Sequence, residues 1–447
     1  MRSEPRFVDY AIIGDPREPR VLLLPGAGGW SLPYMQQPER HFWQSVASVN
    51  RAMRDLLGLA VTTLRCVRTD YERNVYAMET HSRDWLPPAG AGWFAADQIA
   101  GLPLVEPDHR ALLRDWFAWN AASAVPANRP PWYMPGWFAE ALEWIQAQLG
   151  RLGMRLIVPI EQLRSWERSA ILRADTDAGP VYFKAVPAMF AHEPALTQAL
   201  AARDPAHFPA LLAVDDQQHW FLMPDMGSHA LDKVGDVRRW EAALRSFAQT
   251  QIDLAGEVDH LIALGCPRRP LDELAANIDQ LLADTTALTP ESFPLSAAQI
   301  AELRGRAPEF KAMCAALASY RVPQTLEHGD FSPGQVVLQG DTNIFIDWSD
   351  SSIAHPFFSM NFFTDLAELA EFLPHVPDLR ARLRDAYLAS WTIYEPPERL
   401  VEVYVLAQQL SALHNAIIYH QHILPRMESK WEMWNMIPFY LRKLVAA

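Results

Sequence analysis

The segment His328-Gly329-Asp330-Phe331-Ser332-Pro333-Gly334-Gln335 has no hydrophobic period, and glycine and proline beside its polar residues make it a loop. Val336-Val337-Leu338 and Ile344-Phe345-Ile346 follow as two short apolar, β-branched runs split by Gly340-Asp341, which reads as a hairpin. Asp330 therefore sits in a loop just before one strand. Asp347, twelve residues after Gln335, closes the next. Two carboxylates and an amide placed this way suit phosphoryl transfer. One acidic group can orient a hydroxyl, and two oxygen ligands can hold magnesium on a triphosphate.

The run H-G-D-F-x-x-G, a hairpin and then Ile346-Asp347-Trp348 resembles the catalytic loop and metal-binding Asp of the aminoglycoside phosphotransferase and choline kinase family, which shares the protein-kinase-like fold. The resemblance implies ATP and Mg2+ as cofactors, Asp330 as catalytic base and Asp347 as the principal metal ligand. Gln335 stands where that family has Asn. It offers the same carbonyl oxygen on a stem one methylene longer, as a second metal ligand of altered geometry.

A kinase-like helical lobe requires a β-rich lobe upstream. The stretch from Leu163 to Leu172, the polar turn Asp175–Pro180 and Val181-Tyr182-Phe183-Lys184-Ala185-Val186 read as strand, turn and strand. Lys184 interrupts an apolar run, which is costly unless its ammonium is paired. The resemblance implies that Lys184 grips the nucleotide phosphates and pairs with Glu193 at the start of the next helix, where Pro194 fits a first turn. Leu211–Val214 and Trp220–Met223 form a last hairpin leading to Pro224-Asp225-Met226-Gly227. The resemblance implies nucleotide contacts at Phe221 and Met223 and along this segment. No glycine-rich phosphate loop lies between the first two strands, where Arg164–Ser169 stands, and no Walker-type loop occurs anywhere in the sequence.

Beyond Gly227 the pattern is helical. Leu271, Leu274, Ala275, Ile278, Leu281 and Leu282 follow the spacing of a buried helix face, with similar patterns over Ile300–Tyr320, Asn361–Phe372, Leu379–Trp391 and Leu400–Ile418. His355-Pro356-Phe357-Phe358-Ser359 resembles the family's Gly-or-His-Pro-x-x-Asp. Ser359 replaces that Asp, so a weaker hydrogen bond to the catalytic loop is expected. The spacing of His414, His420 and His422 does not put them on one helix face, which argues against a metal site.

The first 123 residues read as a separate domain. Strands are expected near Phe7–Ile13, Val21–Leu24, Val61–Val67 and Asn74–Glu79, with helices at Glu39–Leu57 and Asp108–Trp119. This order, with Arg51-Ala52-Met53-Arg54-Asp55-Leu56-Leu57-Gly58-Leu59, resembles the second half of the Nudix box. Ala52 and Leu56 replace two of its three glutamates, leaving only Asp55. A Nudix box clusters several carboxylates around divalent metal, so the resemblance implies Nudix architecture without pyrophosphohydrolysis. Val21–Gly29 also resembles the strand and oxyanion loop of an α/β-hydrolase, but no G-x-S-x-G elbow follows.

Composition limits the remaining classes. The 447 residues exceed what one core usually serves. Three widely spaced cysteines suit a reducing compartment and offer no zinc spacing. Met1–Pro5 leads into no signal-peptide core, and no run approaches a membrane span. A formal net charge of −14 argues against nucleic acid and is compatible with a cationic small-molecule substrate.

The sequence thus reads as an α+β chain. A Nudix-like α/β/α domain (1–123) and a Pro-rich linker (124–136) precede a bilobal protein-kinase-like part, with a small β-rich lobe (137–226) and a larger helical lobe (227–447). The expected activity is ATP-dependent phosphorylation of a small-molecule hydroxyl in the cytoplasm. The alternatives are a pseudokinase-type nucleotide- or ligand-binding protein and, less favoured, a Nudix-type pyrophosphohydrolase.

Overall fold

The computed structural model describes residues 7–445 apart from 71, 83, 123, 365–368, 370 and 371. The chain divides into two compact units, Met1–Pro187 and Ala188–Ala447.

The first unit begins with strands β1 (Phe7–Ile13), β2 (Val21–Gly26), β3 (Gly29–Ser31), β4 (Tyr34–Gln37), β5 (Val61–Thr69), β6 (Arg73–Thr80) and β7 (Gly92–Phe94). A mixed sheet runs β4-β1-β6-β5, with β1 parallel to β6, and a smaller one runs β3-β2-β7. Because β1 is flanked on both edges, its Asp9–Ile13 stretch is buried. The helix expected from Glu39 starts only at Ala47. Tertiary pairing wins over local pattern here: Val46 N–H donates to Leu163 O at 3.0 Å and Ser165 N–H to Gln44 O at 3.1 Å, holding this stretch out of the helix. The helix ends where expected, at Gly58 with φ 64, whose N–H returns to Arg54 O.

The Pro-rich stretch forms a short 3-10 turn at Pro131–Tyr133, with Trp132 and Tyr133 buried. Trp132 Nε1 donates to Trp166 O at 2.8 Å and Tyr133 OH to Glu167 Oε2 at 2.8 Å. A helix, Trp137–Arg151, then leads into an antiparallel meander of β8 (Glu161–Trp166), β9 (Ser169–Thr176) and β10 (Gly179–Ala185). The region read as one strand from Leu163 is thus a hairpin, closed at Glu167-Arg168. Buried polar groups tie β8 to what precedes it. Asn50 Nδ2 and Thr63 N–H both donate to Gln162 Oε1, at 2.9 and 2.8 Å.

The second unit is mostly helical. Its longer helices are His192–Arg203, Val237–Leu254, Leu271–Ala283, Ala297–Ala318, Leu379–Leu388, Pro397–Ile418 and Met436–Val445. Of the expected helix Asn361–Phe372, Met360–Phe363 is helical and most of the remainder lies outside the described residues. Leu271, Leu274, Ile278, Leu281 and Leu282 are buried as their spacing requires. Three small β elements fall between these helices along the chain: the hairpin β11 (Ala213–Asp215) with β12 (Trp220–Pro224), the pair β13 (Thr325–Glu327) with β16 (Ser352–Ala354), and the hairpin β14 (Val336–Gln339) with β15 (Thr342–Phe345). The last two carry the candidate site.

Candidate active site

β13 ends at Glu327 and delivers the His328-Gly329-Asp330 turn. Gly329 has φ 80, and a β-carbon there would lie 2.2 Å from the Asp350 carbonyl oxygen, so only glycine fits. This contact sets the main chain beside Asp330 against the loop that follows Asp347. His328 is fully buried and locks the same two loops, with Nε2 3.0 Å from Ile346 O. A carbonyl only accepts, so Nε2 carries the proton. Burial pushes the His328 pKa down, partly opposed by the Ile346 bond. The ring is a neutral strut.

Apolar neighbours fix the acidic residues from beneath. Phe331 stacks on Phe247 with ring centroids 3.8 Å apart, and Trp348 lies 4.6 Å from the His328 ring. Phe331 and Trp348 are buried, whereas Asp330 and Asp347 are half-buried. Asp347 has φ 64, a left-handed conformation that costs a non-glycine residue about 1 kcal/mol. Its surroundings hold it there. Trp348 Nε1 donates to Phe345 O at 3.2 Å, Ser351 N–H to Trp348 O at 3.2 Å, and Ser349 Oγ to Asp347 Oδ1 at 2.9 Å. Gln335 ends the short 3-10 turn Pro333–Gln335, and its carbonyl accepts the Ile346 N–H at 3.1 Å. Gln335 and Asp347 therefore flank the base of one hairpin.

The other sequence-derived residues are distributed over both units. Lys184, on β10 opposite Ile171, is buried and belongs to the first unit. Glu193 is buried in the first turn of His192–Arg203. Phe221 is buried and Met223 half-buried on β12, ahead of a turn in which Asp225 Oδ1 accepts the Gly227 N–H at 2.8 Å.

Three links to the site escaped the sequence reading. Ser351 Oγ donates to Trp348 O at 2.6 Å and so accepts from His192 Nε2 at 3.3 Å, which ties the Glu193 helix to the Asp347 loop. Burial, aided by the Arg269 charge, lowers the His192 pKa to about 4. The second is Gln251, on the apolar face of Val237–Leu254, whose Nε2 reaches Leu326 O, Pro356 O and Ser359 Oγ at 2.9, 3.3 and 3.4 Å. Tyr387 OH donates to Gln251 Oε1 at 2.5 Å. Ser359 Oγ in turn accepts the His328 N–H at 3.1 Å, so serine keeps a bond to the turn that carries Asp330. The third is Glu327, whose Oε1 accepts the Gly329 N–H at 2.7 Å. One signal was legible for Gln251 and Glu327: a polar residue on a stripe or strand otherwise buried.

Among the described residues no three His, Cys, Asp or Glu side chains form a metal-holding group. His420 instead bonds Asp284 at 3.0 Å, and His414 lies buried 3.9 Å from Glu327. The donor set still fits magnesium. This hard cation commonly takes one or two protein oxygens and leaves the rest to phosphates and water. Asp347 supplies a carboxylate and Gln335 an amide oxygen on the same hairpin base.

Residues 159–401, more than half of the chain, match the model of the phosphotransferase enzyme family. The chain belongs to that family. Among solved structures it is similar to a macrolide 2'-phosphotransferase type I, at 15% identity and TM-score 0.45, covering 69% of this chain and 98% of that one. A choline/ethanolamine kinase family protein from Mesorhizobium loti matches at 15% identity and TM-score 0.47, covering 68% and 95%. An aminoglycoside phosphotransferase from Streptomyces rimosus, solved with ADP and streptomycin, matches at 18% identity and TM-score 0.37, covering 61% and 98%. No curated protein matches the chain in sequence. Among the described residues no helix is long and apolar enough to cross a membrane.

Proposed function

We propose that this protein is an ATP-dependent phosphotransferase acting on a hydroxyl group of a small molecule. The observation that carries the reading is the Gly329–Asp350 contact, which brings the Asp330 turn against the Asp347 loop. Asp330 holds the acceptor hydroxyl and takes its proton as the oxygen attacks the γ-phosphorus of ATP and the γ-P–O bond breaks, releasing ADP. Asp347 and Gln335 would hold Mg2+, which supplies charge neutralisation at the phosphates. Lys184 is assigned phosphate binding and Glu193 its support, on the family motif. Phe221 and Met223 are assigned to the nucleotide on the same ground.

The N-terminal segment is read as Nudix-like architecture without hydrolysis. Its helix carries Ala52 and Leu56 where glutamates would stand, Arg51 is engaged by Glu161, and Asp55 is exposed. Buried, free Cys66, Cys266 and Cys314 support a reducing, cytoplasmic setting. The charge of −14 supports a small-molecule partner over nucleic acid.

A thermal-shift screen tests the reading. MgATP should raise the midpoint, and amines, sugars and aminoglycosides added next should identify the acceptor by a further rise. A midpoint indifferent to MgATP speaks for the wrong nucleotide or for no phosphotransfer.

A further inference from the structure

Two backbone N–H groups of the His328–Asp330 turn end on side-chain acceptors. The His328 N–H meets the Ser359 hydroxyl at 3.1 Å, a neutral acceptor that Gln251 also uses at 3.4 Å. The Gly329 N–H meets the Glu327 carboxyl oxygen at 2.7 Å. A carboxylate acceptor makes the shorter bond and roughly doubles its strength. We propose that Glu327 is the positioning residue that fixes Asp330. The inference rests on the phosphotransferase reading of Asp330.

Glu327 is equipped for this. It is 2% exposed and ends β13, its Cα paired with that of Ser352. Ser352 Oγ donates to Oε2 at 3.2 Å, and His414 Nε2 lies 3.9 Å from the same oxygen. The Arg269 guanidinium adds positive charge to this buried surround. The carboxylate thus has little freedom, while the residue it holds has the most. Glycine at φ 80 samples alternatives that other residues do not, and Asp330 follows Gly329 directly. The steric contact with Asp350 limits how far Gly329 moves. The bond to Glu327 sets where its N–H points, and with it the peptide plane entering Asp330.

The test uses the full-length protein, with MgATP as substrate and water as acceptor, reading ADP release beside hydrogen exchange of the 328–335 peptide. Glu327→Ala should lower kcat about 10- to 100-fold, the scale of a small misplacement, with KM for MgATP changed less than about threefold. Exchange should rise in 328–335 and stay unchanged in the helix Ala297–Ala318. Glu327→Gln, whose carbonyl can accept the same N–H without the charge, should recover most of the lost kcat and protection. Unchanged exchange in Glu327→Ala overturns the proposal, as does a rise spread over the whole unit. Failure of the Gln variant to rescue also overturns it. If the unsubstituted protein neither binds MgATP nor releases ADP, the phosphotransferase reading fails, and loop exchange alone still decides whether Glu327 holds the turn.

Discussion

Gly329 lies so close to the main chain of Asp350 that a β-carbon on it would come within 2.2 Å of the Asp350 carbonyl oxygen. Real β-carbons do not approach that near, so one of the two loops must move when the residue is enlarged. Gly329→Ala also places a β-carbon at φ 80, an unfavourable backbone by about 1 to 2 kcal/mol. The expected outcome is destabilisation of about 2 kcal/mol or more by urea unfolding, with activity lost beyond what the residual folded fraction explains. Wild-type stability in Gly329→Ala would mean the loops are not locked.

If Asp330 is the base, as proposed, Asp330→Asn should lower turnover by roughly 10² to 10⁴. Its MgATP affinity, read by calorimetry, should stay close to that of the parent because the base does not hold the nucleotide. Undiminished turnover with an accepted substrate removes Asp330 from the mechanism.

At Gln335 the backbone is tied at both ends, its N–H to Ser332 O at 3.0 Å and its carbonyl to the Ile346 N–H at 3.1 Å. Shortening the side chain therefore cannot be offset by sliding the turn, and magnesium tolerates little departure from its octahedral distances. Gln335→Asn should weaken magnesium-dependent ATP binding about tenfold. Higher activity in the variant than in a nearly silent parent would mark a decayed kinase.

His192 links acidity to stability. Its folded pKa of about 4 lies below the ordinary 6.5 because burial disfavours the charged ring. The unfolded chain then binds the proton more readily. The contribution of His192 is complete above about pH 6.5, and as pH falls from there towards 4 it is lost, by about 3 kcal/mol in all. His192→Gln should flatten the stability profile in that window. An equal slope in parent and variant, from urea midpoints at several pH values, would assign the acid sensitivity elsewhere.

How much of this was legible in the sequence depended on the range of the interaction. The Asp330 loop, the β14–β15 hairpin and Asp347 are local, and turn chemistry at Gly340-Asp341 between two short apolar, β-branched runs is enough to read them. The start of the helix at Ala47 was not, because Val46 and Gln44 pair with Leu163 and Ser165 far along the chain. The same holds for Gln251 and His192, whose partners lie far along the chain. Each contacts the site through groups brought near only by the packed helices. Ser359 shows the limit most plainly: the motif foretold a weaker anchor, and the Gln251–Tyr387 network around it could not be read from the motif.

On the proposed reading Asp347, in its strained conformation at the hairpin base, holds the metal of a bound nucleotide. Isothermal calorimetry of the full-length protein with ATP, with and without Mg2+, measures this directly. ATP binding in the unsubstituted protein should strengthen with Mg2+, and Asp347→Ala should lose that magnesium-dependent part while magnesium-free binding persists. ATP binding indifferent to Mg2+, or unchanged magnesium dependence in Asp347→Ala, would contradict that reading.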